Sequence, residues 1–237
     1  MRNATLTEIV REVRARADPQ TATILQRFFR TAPGQYGEGD RFLGIRVPAL
    51  RRLAGAYRSL PLDATLELLR SAWHQERFLA LVLLVDQYRR GSAETRGAIH
   101  RAYLAHTRFI NNWDLVDASA EHILGAYLDP GDLTLLTQLA RSELVWERRI
   151  AIMATFHCIK KAVFHPTLHI ADLLLQDPHD LIRKAVGWML REVGKRDAEQ
   201  EEAFLAARYR SMPRTMLRYA VEHFPEPRRR QYLRGQV

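Results

Sequence analysis

Trp113 and Asp117 stand four residues apart in a run with helical periodicity, so an indole and a carboxylate share one helix face, one turn from each other. Asn111 or Asn112 is placed to cap that helix, and Asp114 falls in its first turn, where the helix dipole favours a carboxylate. Asp114 therefore has a structural explanation. Asp117 has Trp113 and Glu121 one turn to either side, so the helix sets an indole beside it and no cation; an exposed carboxylate or one paired through tertiary structure is the alternative. One carboxylate restricts the chemistry. Ordinary glycoside hydrolysis needs a second carboxyl group to protonate the leaving oxygen, whereas a leaving group that is already cationic, such as an N-alkylated purine, removes that need. A carboxylate about 4 Å from the developing oxocarbenium ion, at an effective dielectric near 20, supplies roughly 4 kcal/mol. That is about a thousandfold in rate. Indole faces add cation–π stabilisation of the same charge.

No other constellation competes. The histidines form no HExxH pair, and His165 and His169 have no acidic residue to complete a ligand set with them. There is no Gly-x-Ser-x-Gly elbow. Cys158 is the single cysteine, which excludes an intramolecular disulfide and a cysteine-based zinc site. The glycine-rich stretch Pro33–Asp40 lacks the Gly-Lys-Ser/Thr ending of a phosphate loop and reads as a flexible surface loop near the binding face. The expectation is an activity without metal or cofactor.

The elements that must position these residues follow a period. A basic or polar residue leading an apolar helical run begins at Arg41, Arg77, Asn112, Arg148, Arg183 and Arg218, in steps of 36, 35, 36, 35 and 35. Such a period marks an all-α solenoid of helix-pair repeats that share one continuous core. The pairs are expected as Leu62–Ser71 with Glu76–Tyr88, Ala93–His106 with Trp113–Leu128, and Asp132–Arg141 with Trp146–Lys160. Pro166–Leu175 with Asp180–Lys195 and Ala198–Arg208 with Pro213–His223 complete them. An N-terminal helix spans about Thr21–Thr31, and another opens at Pro48. Residues 1–237 read as one domain: a helical cap to about residue 47, repeats to about 224, and a short basic tail. Gly91, Gly131 and Gly194 are placed as helix C-caps. Equivalent inner helices then bring Trp113, Asp117, Arg148, Arg149, Arg183, Lys184 and Trp188 towards one basic concave groove. Trp188 lies between Lys184 and Arg191 on one helical stripe, although a core anchor between repeats is the alternative for it. Trp73 and Trp146 are expected as core anchors.

Net charge is +9 with 36 basic residues, of which four are lysines. A polyanion is the favoured partner by electrostatics, and basic groups interleaved with indoles suit nucleic acid, holding phosphates and stacking bases. The arginine excess also admits a compositional origin. Residues 1–18 have no apolar signal-peptide core, and no apolar run is long enough to span a membrane, so a soluble intracellular protein is expected.

Four blocks carry a resemblance: Phe42-Leu43-Gly44-Ile45-Arg46-Val47-Pro48, Asn112-Trp113-Asp114-Leu115-Val116-Asp117, Val145-Trp146-Glu147-Arg148-Arg149 and Lys184-Ala185-Val186-Gly187-Trp188-Met189-Leu190-Arg191-Glu192. Together they resemble the AlkD-type DNA alkylation repair glycosylases over about Thr21 to Phe224. The resemblance implies a right-handed array of HEAT-like repeats with a concave basic face. It implies excision of cationic N3- and N7-alkylated purines from duplex DNA without a metal, by a monomeric, cytoplasmic, nucleoid-associated enzyme. Asp117 matches the family's catalytic Asp, Trp113 and Trp188 its cleft tryptophans, and Arg149 its arginine that contacts the DNA backbone. Arg148, Arg183 and Lys184 are expected beside it on DNA. Phe28 stands where a family tyrosine can stand and lacks the hydroxyl. A non-catalytic DNA-structure binder and a HEAT-type protein scaffold are the competing readings.

Overall fold

Capping chemistry and apolar faces set the helices. A computed structural model describes residues 5–237, and every regular element among them is helical, which bears out the all-α expectation. The chain divides into two compact units between Ser119 and Ala120. The first holds α1 (Leu6–Arg14), α2 (Pro19–Phe28), α3 (Val47–Ala56), α4 (Leu62–Leu69), α5 (His74–Arg90), α6 (Ala93–Ala105) and α7 (Trp113–Asp117). Thr5 and Glu8 form a capping box on α1. Asp18 caps α2 through the Gln20 amide at 3.0 Å, with Pro19 in the first turn. α5 is apolar from Phe78 to Val85; Leu79, Leu81, Leu83 and Leu84 are fully buried, and α3, α4 and α6 pack on it.

The second unit holds a π-helical turn at Glu121–Gly125, α8 (Thr134–Ala140), α9 (Val145–Ala154), α10 (Phe156–Ile159), α11 (His165–Leu173), α12 (Asp180–Gly194), α13 (Ala198–Arg208), α14 (Arg214–Ala220) and α15 (Glu226–Arg234). α12 is its central helix, with Ile182, Val186, Met189, Leu190 and Val193 buried among α9, α11, α13 and α14. Each such side chain contributes about 1.5–3 kcal/mol on burial. An exposed ion pair supplies about 0–1 kcal/mol. Aliphatic packing, not the abundant surface charge, holds these helices together.

The marker arginine has a local cause. Arg77 Nη1 donates to the Ser71 carbonyl at 2.9 Å, Arg148 Nη1 to the Ser142 carbonyl at 2.9 Å, and Arg183 Nε to the Asp177 carbonyl at 2.8 Å, each six residues back. The side chain of that sixth residue accepts the amide two positions on: Trp73 to Ser71, Leu144 to Ser142, His179 to Asp177. α5, α9 and α12 are therefore entered through the same clasped turn. Asp177 also accepts Arg148 Nε at 2.6 Å, linking two successive turns.

Several expected elements differ. The helix expected over Trp113–Leu128 stops at Asp117 and resumes as the π-helical turn. The reason is Ser119, whose Oγ donates back to the Leu115 carbonyl at 2.6 Å and withdraws it from the helix ladder. The helix expected over Trp146–Lys160 breaks at Thr155 into α9 and α10, where the Thr155 amide (3.2 Å) and Oγ1 (2.7 Å) both turn back onto the Ile152 carbonyl. The expected basic tail is largely helix: α15 buries Tyr232, edge-on to Tyr209 and Phe224. Gly194 is the last residue of α12 instead of its cap, and a Cβ there would collide with the Glu201 carboxyl. Trp73 and Trp146 are half-buried and not core anchors; each sits at the entry of its helix. No helix among the described residues is long and apolar enough to cross a membrane.

Candidate active site

α7 carries Trp113 and Asp117 on one face, as their spacing requires. Asn112 caps it: its Oδ1 accepts the Trp113 amide at 2.9 Å, and Asn112 is fully buried. Asp114 in the first turn accepts His74 Nε2 at 2.9 Å. The other ring nitrogen, Nδ1, lies 2.7 Å from Asp40 Oδ2, and Arg77 Nη2 reaches Asp40 Oδ1 at 2.6 Å. His74 thus bridges two carboxylates at the entry of α7. Burial alone would lower its pKa, but the hydrogen bonds and charges of Asp114 and Asp40 outweigh burial and hold it above the ordinary histidine value. Burial likewise opposes ionisation of Asp40, and His74 with Arg77 overcomes it and holds that carboxyl below its usual range. The protonated ring and its two carboxylates form a buried charge network under the Trp113 turn.

Aromatic rings continue outward from this network. His74 stacks on Phe42 (4.4 Å between centroids), Phe42 on Phe29 (5.0 Å), and Phe29 on Trp113 (5.3 Å, 21° between planes). Phe28 meets Trp113 edge-on at 6.0 Å and remains 61% exposed. Trp113 and Asp117 are themselves half-buried. Beneath them the fully buried Tyr103 hydroxyl bonds Ser119 Oγ at 3.0 Å; burial, with the Asp117 charge adding, pushes the phenol up. The extended segment around Gly44 fixes the ends of α2 and α5. Asp18 donates its amide to the Leu43 carbonyl at 2.8 Å, and Gln75 Oε1 accepts the Leu43 amide at 2.7 Å. Gly44 has φ +81°, and a Cβ there would strike the Asp18 carbonyl. The glycine-rich loop, expected to be flexible, is tied down at Gly37, whose amide bonds the Arg30 carbonyl at 3.1 Å and whose Cα has no room for a side chain against Phe29.

The second unit positions the remaining candidates on α9 and α12. Arg149 is 5% exposed, and its Nη1 donates to the Leu181 carbonyl in the first turn of α12 at 2.7 Å. Arg148 and Arg183 direct donors into the clasped turns described above and are half-buried. Lys184 pairs with Asp180 at 2.7 Å. Trp188 is half-buried, donates Nε1 to Glu192 at 3.3 Å and lies 6.2 Å from the Phe156 ring. Phe156 in turn has Lys160 Nζ over its face at 4.4 Å. Within this unit, then, Arg149 joins the helix of Arg148 to the helix of Arg183, Lys184 and Trp188.

Sequence reasoning missed Asp40 and His74. Asp40 closes the stretch expected as a flexible loop, and the helix expected from Glu76 begins two residues earlier, at His74. The available signal was the run His74-Gln75-Glu76-Arg77 directly before an apolar core helix: four consecutive polar residues, all buried here.

A family model described as DNA alkylation repair enzyme matches residues 9–224. No curated protein matches the sequence. Among solved structures, the chain is similar to one from Enterococcus faecalis described as a predicted DNA alkylation repair enzyme. Identity is 20% and the TM-score 0.69, over 89% of this chain and 97% of that one, which is a likeness of fold.

Proposed function

The chain belongs to the DNA alkylation repair enzyme family, and on that premise we propose that it is a monofunctional AlkD-type DNA glycosylase. It hydrolyses the N-glycosidic bond of cationic N3- and N7-alkylated purines in duplex DNA. The observation that carries this reading is the α7 turn, where Asp117 and Trp113 share one half-open face and the helix start is braced by Asn112 and the His74 network. As the bond to the base breaks, its electron pair neutralises the cationic purine. The sugar gains the positive charge, and a water oxygen then bonds to the anomeric carbon and gives up a proton. Asp117 stabilises the oxocarbenium-like sugar or orients that water. Trp113 and Trp188 offer indole faces to the cationic nucleoside. Arg148, Arg149, Arg183 and Lys184 contact the DNA backbone, and Phe28 contacts DNA through an apolar ring. The domain acts as a single HEAT-like array over 1–237, as a monomer on nucleoid DNA.

The test is incubation with methylated duplex DNA and chromatography of free alkylpurine. Base release supports the glycosylase. Salt-sensitive binding without release supports a DNA-structure binder, and neither supports a protein scaffold; both of these results sink the proposal.

A further inference from the structure

The marker arginine of the last repeat departs from the pattern of the others. Arg77, Arg148 and Arg183 each clasp the carbonyl six residues back, beneath a serine or aspartate that caps the same turn. The corresponding residue for Arg218 is Met212, followed by Pro213, and neither side chain can cap the turn. Arg218 is exposed, and among the described residues no hydrogen bond or ion pair engages its guanidinium. It lines a surface cleft of about 420 Å³ with Lys184, Thr215, Tyr219 and Arg229. The cleft is built on backbone contact: a Cβ at Gly187 would run into the Met216 carbonyl and lie 2.6 Å from the Tyr219 Cβ, so α12 and α14 touch there. Its carboxylates are already committed. Asp180 holds Lys184 at 2.7 Å, and Glu222 pairs with Arg191. Arg229 is held by Glu226 at 3.2 Å. Among the described residues Arg218 is thus the uncompensated cation of a polar cleft.

We propose that this cleft binds a phosphodiester group of the DNA backbone, with Arg218 as its principal contact and Lys184 and Arg229 flanking it. A planar guanidinium fork matches two phosphate oxygens at once, and presenting it breaks no internal bond of Arg218. The proposal rests on the glycosylase reading above and extends the DNA contact from α12 to α14 and α15.

The test is the affinity of undamaged duplex DNA for wild type, Arg218→Ala, Arg229→Ala and Arg101→Ala, measured by fluorescence anisotropy at several salt concentrations. Arg101 is an exposed arginine on α6 and serves as the control for net charge. Arg218→Ala is expected to bind about three- to tenfold more weakly, as loss of one charge-assisted contact implies after solvent screening. The slope of log affinity against log salt should fall by about one unit. Arg229→Ala should show a smaller loss in the same direction, Arg101→Ala neither effect, and unchanged melting temperatures establish that the variants fold. If Arg218→Ala matches Arg101→Ala while wild type binds duplex and releases base, the cleft assignment fails and the glycosylase reading stands. If wild type neither binds duplex nor releases base, both fall together.

Discussion

His74→Ala is the perturbation whose cost the structure sets most directly. The ring is 3% exposed and bridges Asp40, 1% exposed, and Asp114, 14% exposed. Without it Asp40 keeps Arg77, but Asp114 loses its donor, and its other oxygen, Oδ1, is buried and accepts no hydrogen bond. Removing one partner of a buried ionic group costs about 3–5 kcal/mol. The partial exposure of Asp114 argues for the lower end, about 3 kcal/mol, or roughly 6–12 °C in melting temperature for a chain of this size. The sign with pH follows from the directions of the shifts. His74 is raised above its unfolded value of 6.5, so its contribution is complete below that pH and is lost as pH rises through the folded value. Asp40 is depressed below 3.8, so its contribution is present above that pH and is lost as pH falls through the folded value. Urea unfolding of wild type and variant from pH 5.5 to 9 should therefore show a gap that is widest at the acid end and narrows upward. A gap under about 1 kcal/mol at pH 6, or one that does not change across the range, would refute the charged bridge.

Glu201 is fully buried with neither carboxyl oxygen hydrogen-bonded, and burial pushes it up to about 9. His223 Nε2 lies 3.7 Å away, but burial lowers that histidine, so the two are neutral neighbours at pH 7 and not an ion pair. A raised carboxyl makes the fold lose stability between its unfolded value of 4.5 and about 9, on the order of 3 kcal/mol by pH 7. Glu201→Gln should accordingly gain on wild type by a few kcal/mol in urea unfolding between pH 4.5 and pH 8, and parallel stabilities over that range would contradict the buried neutral carboxyl. Borohydride trapping on methylated duplex should give no covalent protein–DNA adduct, because Schiff-base chemistry needs a free amine and Lys184, the lysine nearest Trp188 on α12, is paired with Asp180. An adduct that disappears in Lys184→Ala would show the wrong nucleophile has been assigned.

The helical repeat was legible because apolar residues recur at helical spacing, and the burial of α5 and α12 follows from them. The marker arginines were legible as charges but not as clasps. Their function depends on a backbone carbonyl, and the serine or aspartate that frames it sits six residues earlier. Trp113 and Asp117 share a face because that relation is local to one turn. The break after Asp117 depends on one hydroxyl turning back on its own helix, which periodicity does not register. His74 and Asp40 are 34 residues apart, and nothing in either local stretch marks the other as its partner. The C-terminal stretch was hidden by its composition: Arg228, Arg229 and Arg230 read as a tail, while Tyr232 two positions on anchors it as a helix.

The central claim is that Asp117 supplies charge at the sugar. Asp117→Asn keeps the shape of the side chain and removes its charge, and the measurement is single-turnover release of 7-methylguanine from duplex DNA alongside duplex affinity. The account predicts a rate lower by about a thousandfold with affinity within a few-fold of wild type. A variant that retains more than about a tenth of the rate would contradict it.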